Sequence, residues 1–542
     1  MNYTCITLDL RSTSVLSKEV RNEFLHHASK SRSVYNHIIC DLKDQTKSNP
    51  FLWFHQPFSR NTYANSTFYN FAAFKYLEHC FNTRSKSISY RITVDSIALK
   101  RIIVKLANLK SINISVKYKS FSFNKLNFLK FKVFKPIITS IFRYLQYIIC
   151  SLSRNKSHIH STLLSKQLIL LDVFMTPHKR DEVHWYGTLI NHLNGTQKQS
   201  FYFVPTFTLF NLFDFFRLIP SIRNSNTNKL LKEDLLHSAD FFFSFCHLFR
   251  NSFIRLSPII YNEINITPLF QESYDRESDL LSLYECYLTD RFFYRCSLNK
   301  LNIIGTFDWF EGHAIDKAWN YALKQYYPKS IRIGHRSIIT LPFSLCSIPL
   351  AAERKVGILP DVFMLPGPAV TKIVKEFDDE IIVYPGPALR FEHIQNFNLD
   401  RNHIHNKNQF NVLITLPISE VTSLSIIDSL MNILGRLNTN FKDITFWVRK
   451  HPASDINLSY ISELDNKYLK ISTHNSLADC FKSTDLLLTE ASSTSMEALA
   501  LGIPVIIVST DKPGLHENPV PNDISEEYVK RISSNQQLLE AI

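Results

Sequence analysis

Apolar residues along this chain fall into two rhythms. Continuous apolar runs of strand length, closed by polar turns, recur at residues 167–174, 200–210, 301–307, 330–335, 360–365 and 380–386. Such runs are the signature of strands covered on both faces. Stretches at helical period, residues 185–193 and 314–327, lie between them, and the alternation predicts a parallel, doubly wound sheet. Residues 1–95 read as mixed α/β, with a helix over 68–81. A polar, Asn-rich stretch then intervenes, and from Phe410 the rhythm restarts. Strands are expected at 410–417, 443–452, 468–472, 484–493 and 503–509, with helices at 423–437, 476–483 and 494–502.

The expected fold is therefore α/β: an N-terminal Rossmann-like domain over 1–395, a linker over 396–409, and a C-terminal Rossmann-like domain over 410–542. A length of 542 residues agrees with two or three domains. Domains of this kind bind ligands beyond the carboxyl ends of their strands, so the cleft that two such domains would face is the expected site.

Composition narrows the function. Hydrophobic residues at 45% and charged residues at 20% exclude a disordered or collagen-like chain. Glycine supplies 11 residues, none before Gly187, so glycine-rich phosphate loops are scarce. The nine cysteines are spread without a C-x-x-C pair, which argues against a disulfide framework or a zinc site and for a reducing cytoplasm. The first twenty residues lack the basic flank and apolar core of a secretion signal.

The formal charge of +13 is local. Residues 96–171 hold fourteen Lys and Arg and no Asp or Glu, which accounts for the whole excess. Within that segment, residues 117–156 interleave cations with Phe, Tyr, Leu and Ile, and 137–152 reads as a short helix. This is either a solvated basic face over an ordinary core helix or an element lying on an anionic bilayer. RNA binding is a third reading, without a recognisable motif, and no nucleic-acid partner is expected.

Three stretches carry candidate chemistry. In TDLLLTEASSTSMEALALG a strand meets a turn containing Glu490, and Thr494-x-x-Glu497 reads as a capping box for a helix that Gly502 ends. Ser492, Ser493 and Ser495 would then surround a helix start able to hold a phosphate. Arg449, Lys450, His451 and Pro452 close the strand DITFWV and suit phosphate and ribose. Asp308-Trp-Phe-Glu311-Gly-His313 follows a strand of the first domain. A partly desolvated Glu311, or else Asp308, would be a base for an acceptor hydroxyl. His313, His335, Arg336, Arg390 and Ser419 are expected to line the same cleft.

These residues resemble two-domain glycosyltransferases of the GT-B architecture, and within them the bacterial surface-carbohydrate transferases that use CMP-activated Kdo or sialic acid. His451-Pro452 is similar to their HP motif and Ser492-Ser493 to their Ser-Ser/Thr motif. DWFEGHAIDKAWNYAL and FLWFHQPFSRNTYANS resemble their N-terminal segments. The resemblance implies a CMP donor at both C-terminal motifs and a lipid-linked or polymeric glycan acceptor. Glu490 and Glu497 stand seven apart rather than eight, and D-x-D is absent from the sequence. Hence the expectation is a metal-independent glycosyltransferase without a cofactor, with the nucleotide-sugar as co-substrate. It is expected in the cytoplasm, peripheral on the inner face of the membrane. The alternatives are a CDP-glycerol-type polyol phosphotransferase, a UDP-sugar epimerase, or a non-enzymatic nucleic-acid or membrane adaptor.

Overall fold

A computed structural model describes residues 4–44, 49–84, 87–119, 130–153, 163–177, 183–207, 210–277, 279–395, 409–434, 444–452, 468–474, 476–490, 492–508 and 523–542, with isolated positions between. The chain divides into two compact units, one of residues 1–388 and one of 389–542, with Leu515 counted in the first. The expected linker 396–409 lies outside the described residues except for Phe397 and Gln409.

The first unit holds two parallel sheets. β1 (Thr4–Asp9), β2 (Ile88–Val94) and β3 (Ile114–Tyr118) pair in that order. Helices α1 (Lys18–Asp44) and α2 (Thr67–Thr83) connect β1 to β2, and α3 (Ile97–Lys110) connects β2 to β3. A parallel pair needs a crossover of this kind. The helix expected over 68–81 is α2, which buries Phe68, Phe71, Phe74 and Leu77.

The second sheet begins only at β4 (Gln167–Met175) and continues through β5 (Phe201–Phe207). A small hairpin, β6 (Ile260–Tyr261) and β7 (Ile264–Asn265), stands apart from it. β8 (Asn302–Trp309), β9 (Ile331–His335), β10 (Val362–Leu365) and β11 (Val383–Pro385) complete the sheet, in the order β11-β10-β9-β8-β4-β5. The expected single doubly wound domain of 1–395 is thus a three-stranded sheet followed by a six-stranded one. Four longer helices accompany the second sheet: α4 (Lys135–Leu152), α5 (Leu212–Arg223), α6 (Ser238–Asn251) and α7 (Leu280–Leu298), before α8 (Ala314–Tyr326). The helix expected over 185–193 is broken into a short α-turn at Val183–Tyr186 and a 3₁₀ turn at Leu189–His192.

In the second unit β12 (Phe410–Thr415), β13 (Ile444–Arg449), β14 (Leu469–Ile471), β15 (Leu486–Thr489), β16 (Val505–Val508) and β17 (Val529–Ile532) form a parallel sheet of order β14-β13-β12-β15-β16-β17. Every residue of β15 and β16 is buried, as continuous apolar runs require when helices cover both faces. α9 (Glu420–Leu434) follows β12, and α10 (Ser493–Ala500) follows β15. The two doubly wound parallel sheets of the GT-B composition are both present.

A buried ion cluster ties distant parts of the first unit together. Glu353 meets Arg60 at 2.8 Å and Lys317 at 2.7 Å, and all three side chains are fully buried. Arg60 also donates to the Ile348 carbonyl, and Lys317 to that of Ser59, each at 2.9 Å. Removing Glu353 strands two buried cations. We expect Glu353→Ala to cost about 3–5 kcal/mol and Glu353→Gln less. Urea unfolding followed by tryptophan fluorescence checks this, since Trp53, Trp185, Trp309 and Trp319 all belong to the first unit.

Candidate functional site

In the six-stranded sheet of the first unit the chain starts at β4, adds β5 on one side, and then returns to place β8 on the other. The strand order reverses between β4 and β8, and ligands of open α/β sheets bind beyond the carboxyl ends at such a point. A cavity of about 340 Å³ lies there. Its walls include the rings of Phe174, Trp185 and Trp309, with Glu277, Glu311 and His313 among them. Gln56, Ser59 and Asn61, from the loop that the Glu353 cluster holds, close another side.

Glu311 and His313 sit on the turn between β8 and α8. Gly312 between them has φ +82°, and a Cβ there would meet the Cys346 carbonyl oxygen at 1.9 Å, so the turn demands glycine. Asp316, one turn into α8, accepts from the backbone N–H of Glu311 (2.9 Å) and His313 (3.0 Å). The acid that caps this helix is thus Asp316. Glu311 accepts from the Trp309 indole at 2.6 Å and lies 3.1 Å from His313 Nε2. Asn61 Nδ2 stands 3.2 Å from the other ring nitrogen. The pair reaches solvent, with 24% of the Glu311 side chain and 40% of His313 exposed.

The expected raised pKa of Glu311 is overturned. Burial favours the neutral acid, but His313 and the Trp309 indole bond the carboxylate and hold it down at about 2. A carboxylate that weakly basic is a poor proton acceptor. Burial lowers the His313 pKa, yet the Cys346 thiol and Glu311 together carry it well above the ordinary value. Glu277 is the contrasting group. It is 8% exposed, and burial pushes its carboxyl up to about 7, although the Gln56 N–H bonds it at 2.6 Å. Two carboxyls in one cavity are thereby set far apart in proton affinity, which is how acid and base roles are divided between like groups.

Asp308 does not follow its strand but lies in β8, fully buried, with Asn320 donating to it at 2.9 Å. Burial and the charges of Asp172 and Asp316 push its pKa well up, so it is a proton-holding core residue rather than a cavity base. Its neighbours behave alike: burial raises Asp172 to about 7 and, against His313, Asp316 to about 6. His335 and Arg336 also differ from the expectation. His335 is stacked on Phe307 with Nε2 on the Pro387 carbonyl at 2.9 Å. Arg336 is wholly buried, donating to the carbonyls of Phe310 and Ser347 at 2.8 Å each. Both staple loops together instead of lining a cavity.

In the second unit the order reverses between β12 and β15. A chain of hydroxyls crosses that point: Thr489 to Thr415 at 2.8 Å, Thr415 to Thr494 at 3.1 Å, and Thr494 to Ser492 at 3.0 Å. Ser492, not Thr494, is the N-cap of α10, accepting the Thr494 N–H at 3.3 Å. The other half of the expected capping box, Glu497, bonds His393 at 3.1 Å instead. Ser495 is buried and donates to the Ser492 carbonyl, while Ser493 is exposed. Gly502, at φ +75°, ends the turn after α10 as expected, with the Ile503 N–H on the Ala498 carbonyl at 2.9 Å.

Arg449 ends β13, opposite Thr415 in the register. β12 therefore stands between the cationic turn and β15, so the two motifs end strands that are not direct neighbours. Arg449 turns toward β14, donating to the His474 carbonyl at 2.6 Å. Lys450 and Pro452 are exposed, His451 is half-buried and Glu490 is buried. Ser419 is exposed at the start of α9, where its hydroxyl accepts from Thr422 Oγ1 at 3.0 Å. Arg390 lies in a short turn of the second unit, over the Phe391 ring. Among the described residues Glu23, His27 and His79 form one group of metal-ligating type, between α1 and α2, where Glu23 also pairs with Arg84 at 3.2 Å.

Sequence reasoning missed Glu277, Asp172, Asp316, Trp185 and the threonines Thr415 and Thr489. Thr494-x-x-Glu497 drew attention to the right turn, but the threonines at the ends of β12 and β15 were visible only as strand termini.

No protein-family model matches the chain, and no curated protein does. Among solved structures it is similar to the glycotransferase of kitacinnamycin, at 9% identity over 69% of this chain and 90% of that one, TM-score 0.37. UDP-GlcNAc 2-epimerase from Neisseria meningitidis bound to UDP-GlcNAc gives 14%, 69%, 90% and 0.39. MurG from Acinetobacter baumannii gives 9%, 69%, 90% and 0.37. At these scores no activity carries over, and the architecture rests on the strand orders themselves.

Glu277 generates a pH prediction. Its folded pKa of about 7 exceeds its ordinary 4.5, so the folded chain binds the extra proton between those values. Its contribution to stability falls as pH rises through that window, by about 3 kcal/mol in all. Glu277→Gln should flatten that part of the stability–pH curve and leave the variant more stable than the parent at pH 8, as thermal unfolding across a pH series will read.

Proposed function

We propose that the chain is a nucleotide-sugar-dependent glycosyltransferase. The observation that carries the reading is the aromatic, acidic cavity at the β4/β8 switch point, where Glu277 stands at about 7 and Glu311 at about 2. Aromatic rings offer flat apolar faces to a sugar, and carboxylates accept from its hydroxyls. Glu277 takes the proton of the acceptor hydroxyl. Glu311 stays ionised and keeps His313 oriented and basic beside it. In this reading the donor belongs to the second unit. Its phosphate is held by the hydroxyls of Ser492 and Ser493 at the start of α10, where the hydroxyl chain through Thr415 supports it. Lys450, His451 and Arg449 stabilise charge on the departing nucleotide. We further assign a CMP-activated donor, chemistry without a metal, and a lipid-linked glycan acceptor that calls for a peripheral membrane position.

A second reading, epimerisation of a UDP-sugar, is favoured by Glu277, whose carboxyl near 7 can both take and return a proton at a sugar carbon.

Calorimetry with CMP, CDP and UDP tests the proposal. Binding of CMP is expected, weakened at least tenfold by Ser493→Ala and by His451→Ala without change in circular dichroism. Glu277→Gln should lower kcat by about 10²–10⁴-fold and leave nucleotide affinity unchanged. A preference for UDP with epimerised product shifts the assignment to the second reading, and binding of none of the three overturns both.

A further inference from the structure

Helix α4 is built inside out. The side chains it buries are Pro136, Arg143, Gln146 and Cys150, while Ile138 (64% exposed), Ile141, Leu145, Ile148 and Leu152 (77%) run along its outer side. Their spacing of three or four residues makes one continuous apolar stripe. The inner side is fixed by charge: Arg143 meets Glu233 at 3.0 Å and Glu285 at 2.8 Å, and Lys232 meets Glu285 at 2.8 Å, all buried. A helix that met water on its outer side and protein on its inner side would carry the opposite pattern.

The helices packed beside it repeat the feature. α5 exposes Phe213 (62%) and Phe216, and α6 exposes Phe242 (68%). α6 touches α4 through a Ser238–Tyr144 hydroxyl contact at 3.2 Å, one turn before Phe242. α5 touches it through Arg223, which donates to the Cys150 carbonyl at 3.2 Å.

The charges of the three helices point to the occupant. α4 has no carboxylate. The one acid of α5, Asp214, is half-buried and bonded to Asn211. The one acid of α6, Asp240, is buried between Arg291 and Arg295. Arg217 and Arg250 are exposed, and the Arg217 guanidinium lies over the Phe213 ring, 4.0 Å from its centre. An exposed apolar face carrying cations and almost no anions complements an anionic lipid surface. A second copy docked on the same face would bring cation against cation. No helix among the described residues is long and apolar enough to cross a membrane.

We propose that the outer side of α4, flanked by α5 and α6, docks on an anionic lipid bilayer. The surface goes beyond the sugar-transfer reading, and its test measures binding rather than transfer, so either can fail without the other. The full chain is sedimented with vesicles of equimolar phosphatidylglycerol and phosphatidylcholine, and with vesicles of phosphatidylcholine alone. The parent chain should sediment with the first and at least tenfold less with the second. Ile138→Ser with Ile141→Ser should weaken binding at least tenfold, at an unchanged unfolding midpoint because both positions face outward. Arg217→Gln with Arg250→Gln should weaken it by about tenfold and reduce its salt dependence. The proposal is overturned if the parent chain stays in the supernatant with the anionic vesicles, or if the isoleucine pair binds as the parent does. It is equally overturned if light scattering finds a dimer that the isoleucine pair dissociates.

Discussion

Much of the first unit's chemistry depends on one buried carboxylate. Glu353 pairs with both Arg60 and Lys317 in a fully buried site, and the three together join the loop around Ser59, the start of α8 and the segment at Ile348. Arg60 holds a left-handed backbone, φ +58°, which costs a non-glycine residue about 1 kcal/mol or more. The ion cluster over-determines that conformation. Because Ser59 and Asn61 are neighbours of Arg60, the same cluster brings them against Glu311 and His313 and thus builds one wall of the cavity. Arg336 and Ser347 do the matching work from behind, the Ser347 hydroxyl bonding the Glu311 carbonyl at 2.6 Å. The site is held by charges in the dark rather than by the charges it displays.

What the sequence revealed divides along a physical line. Strands covered on both faces, such as β15 and β16, are apolar without interruption, and the turn into α10 carries its own punctuation in Ser492 and Gly502. Those elements were legible because each is specified by residues close in sequence. α7 was not, because it buries residues on almost every side and a helix surrounded by protein has no polar face to set a period. The three-stranded sheet was hidden for a related reason: β1 ends at Asp9 and β2 begins only at Ile88, with α1 and α2 between them, so no local rhythm links the two. The candidate site shows the same split. Glu311 and His313 were found from a strand-to-helix turn, but the direction of the Glu311 pKa depends on Trp309 and His313 folding back on it. Glu277 precedes an ordinary helix in the sequence and becomes unusual only through burial against Gln56.

The β4/β8 switch point also explains why three aspartates can share one region of core. Asp172, Asp308 and Asp316 are each fully or nearly fully buried, and three adjacent negative charges in such a place would be prohibitive. Raised proton affinities resolve the conflict by keeping part of the set neutral, while backbone N–H groups of Glu311, His313 and Trp309 and the Tyr186 hydroxyl absorb what charge remains. The aspartates therefore act as fixed acceptors that shape the β8–α8 turn.

α4 poses the converse question, since its inner contacts are ionic where an apolar core was available. Replacing a buried ion network by apolar packing is often neutral or stabilising in soluble proteins, so the cluster of Arg143, Glu233, Glu285 and Lys232 is hard to explain as a gain in stability. Its effect is orientational. An apolar inner side would let α4 roll, because its outer isoleucines would serve equally well against the core, and a roll of half a turn would bury them. Arg143 removes that alternative, since any rotation would strand Glu233 and leave Glu285 to Lys232 alone. The ion network fixes which side of the helix faces outward, and it does so in a helix whose outward side is apolar enough to need fixing.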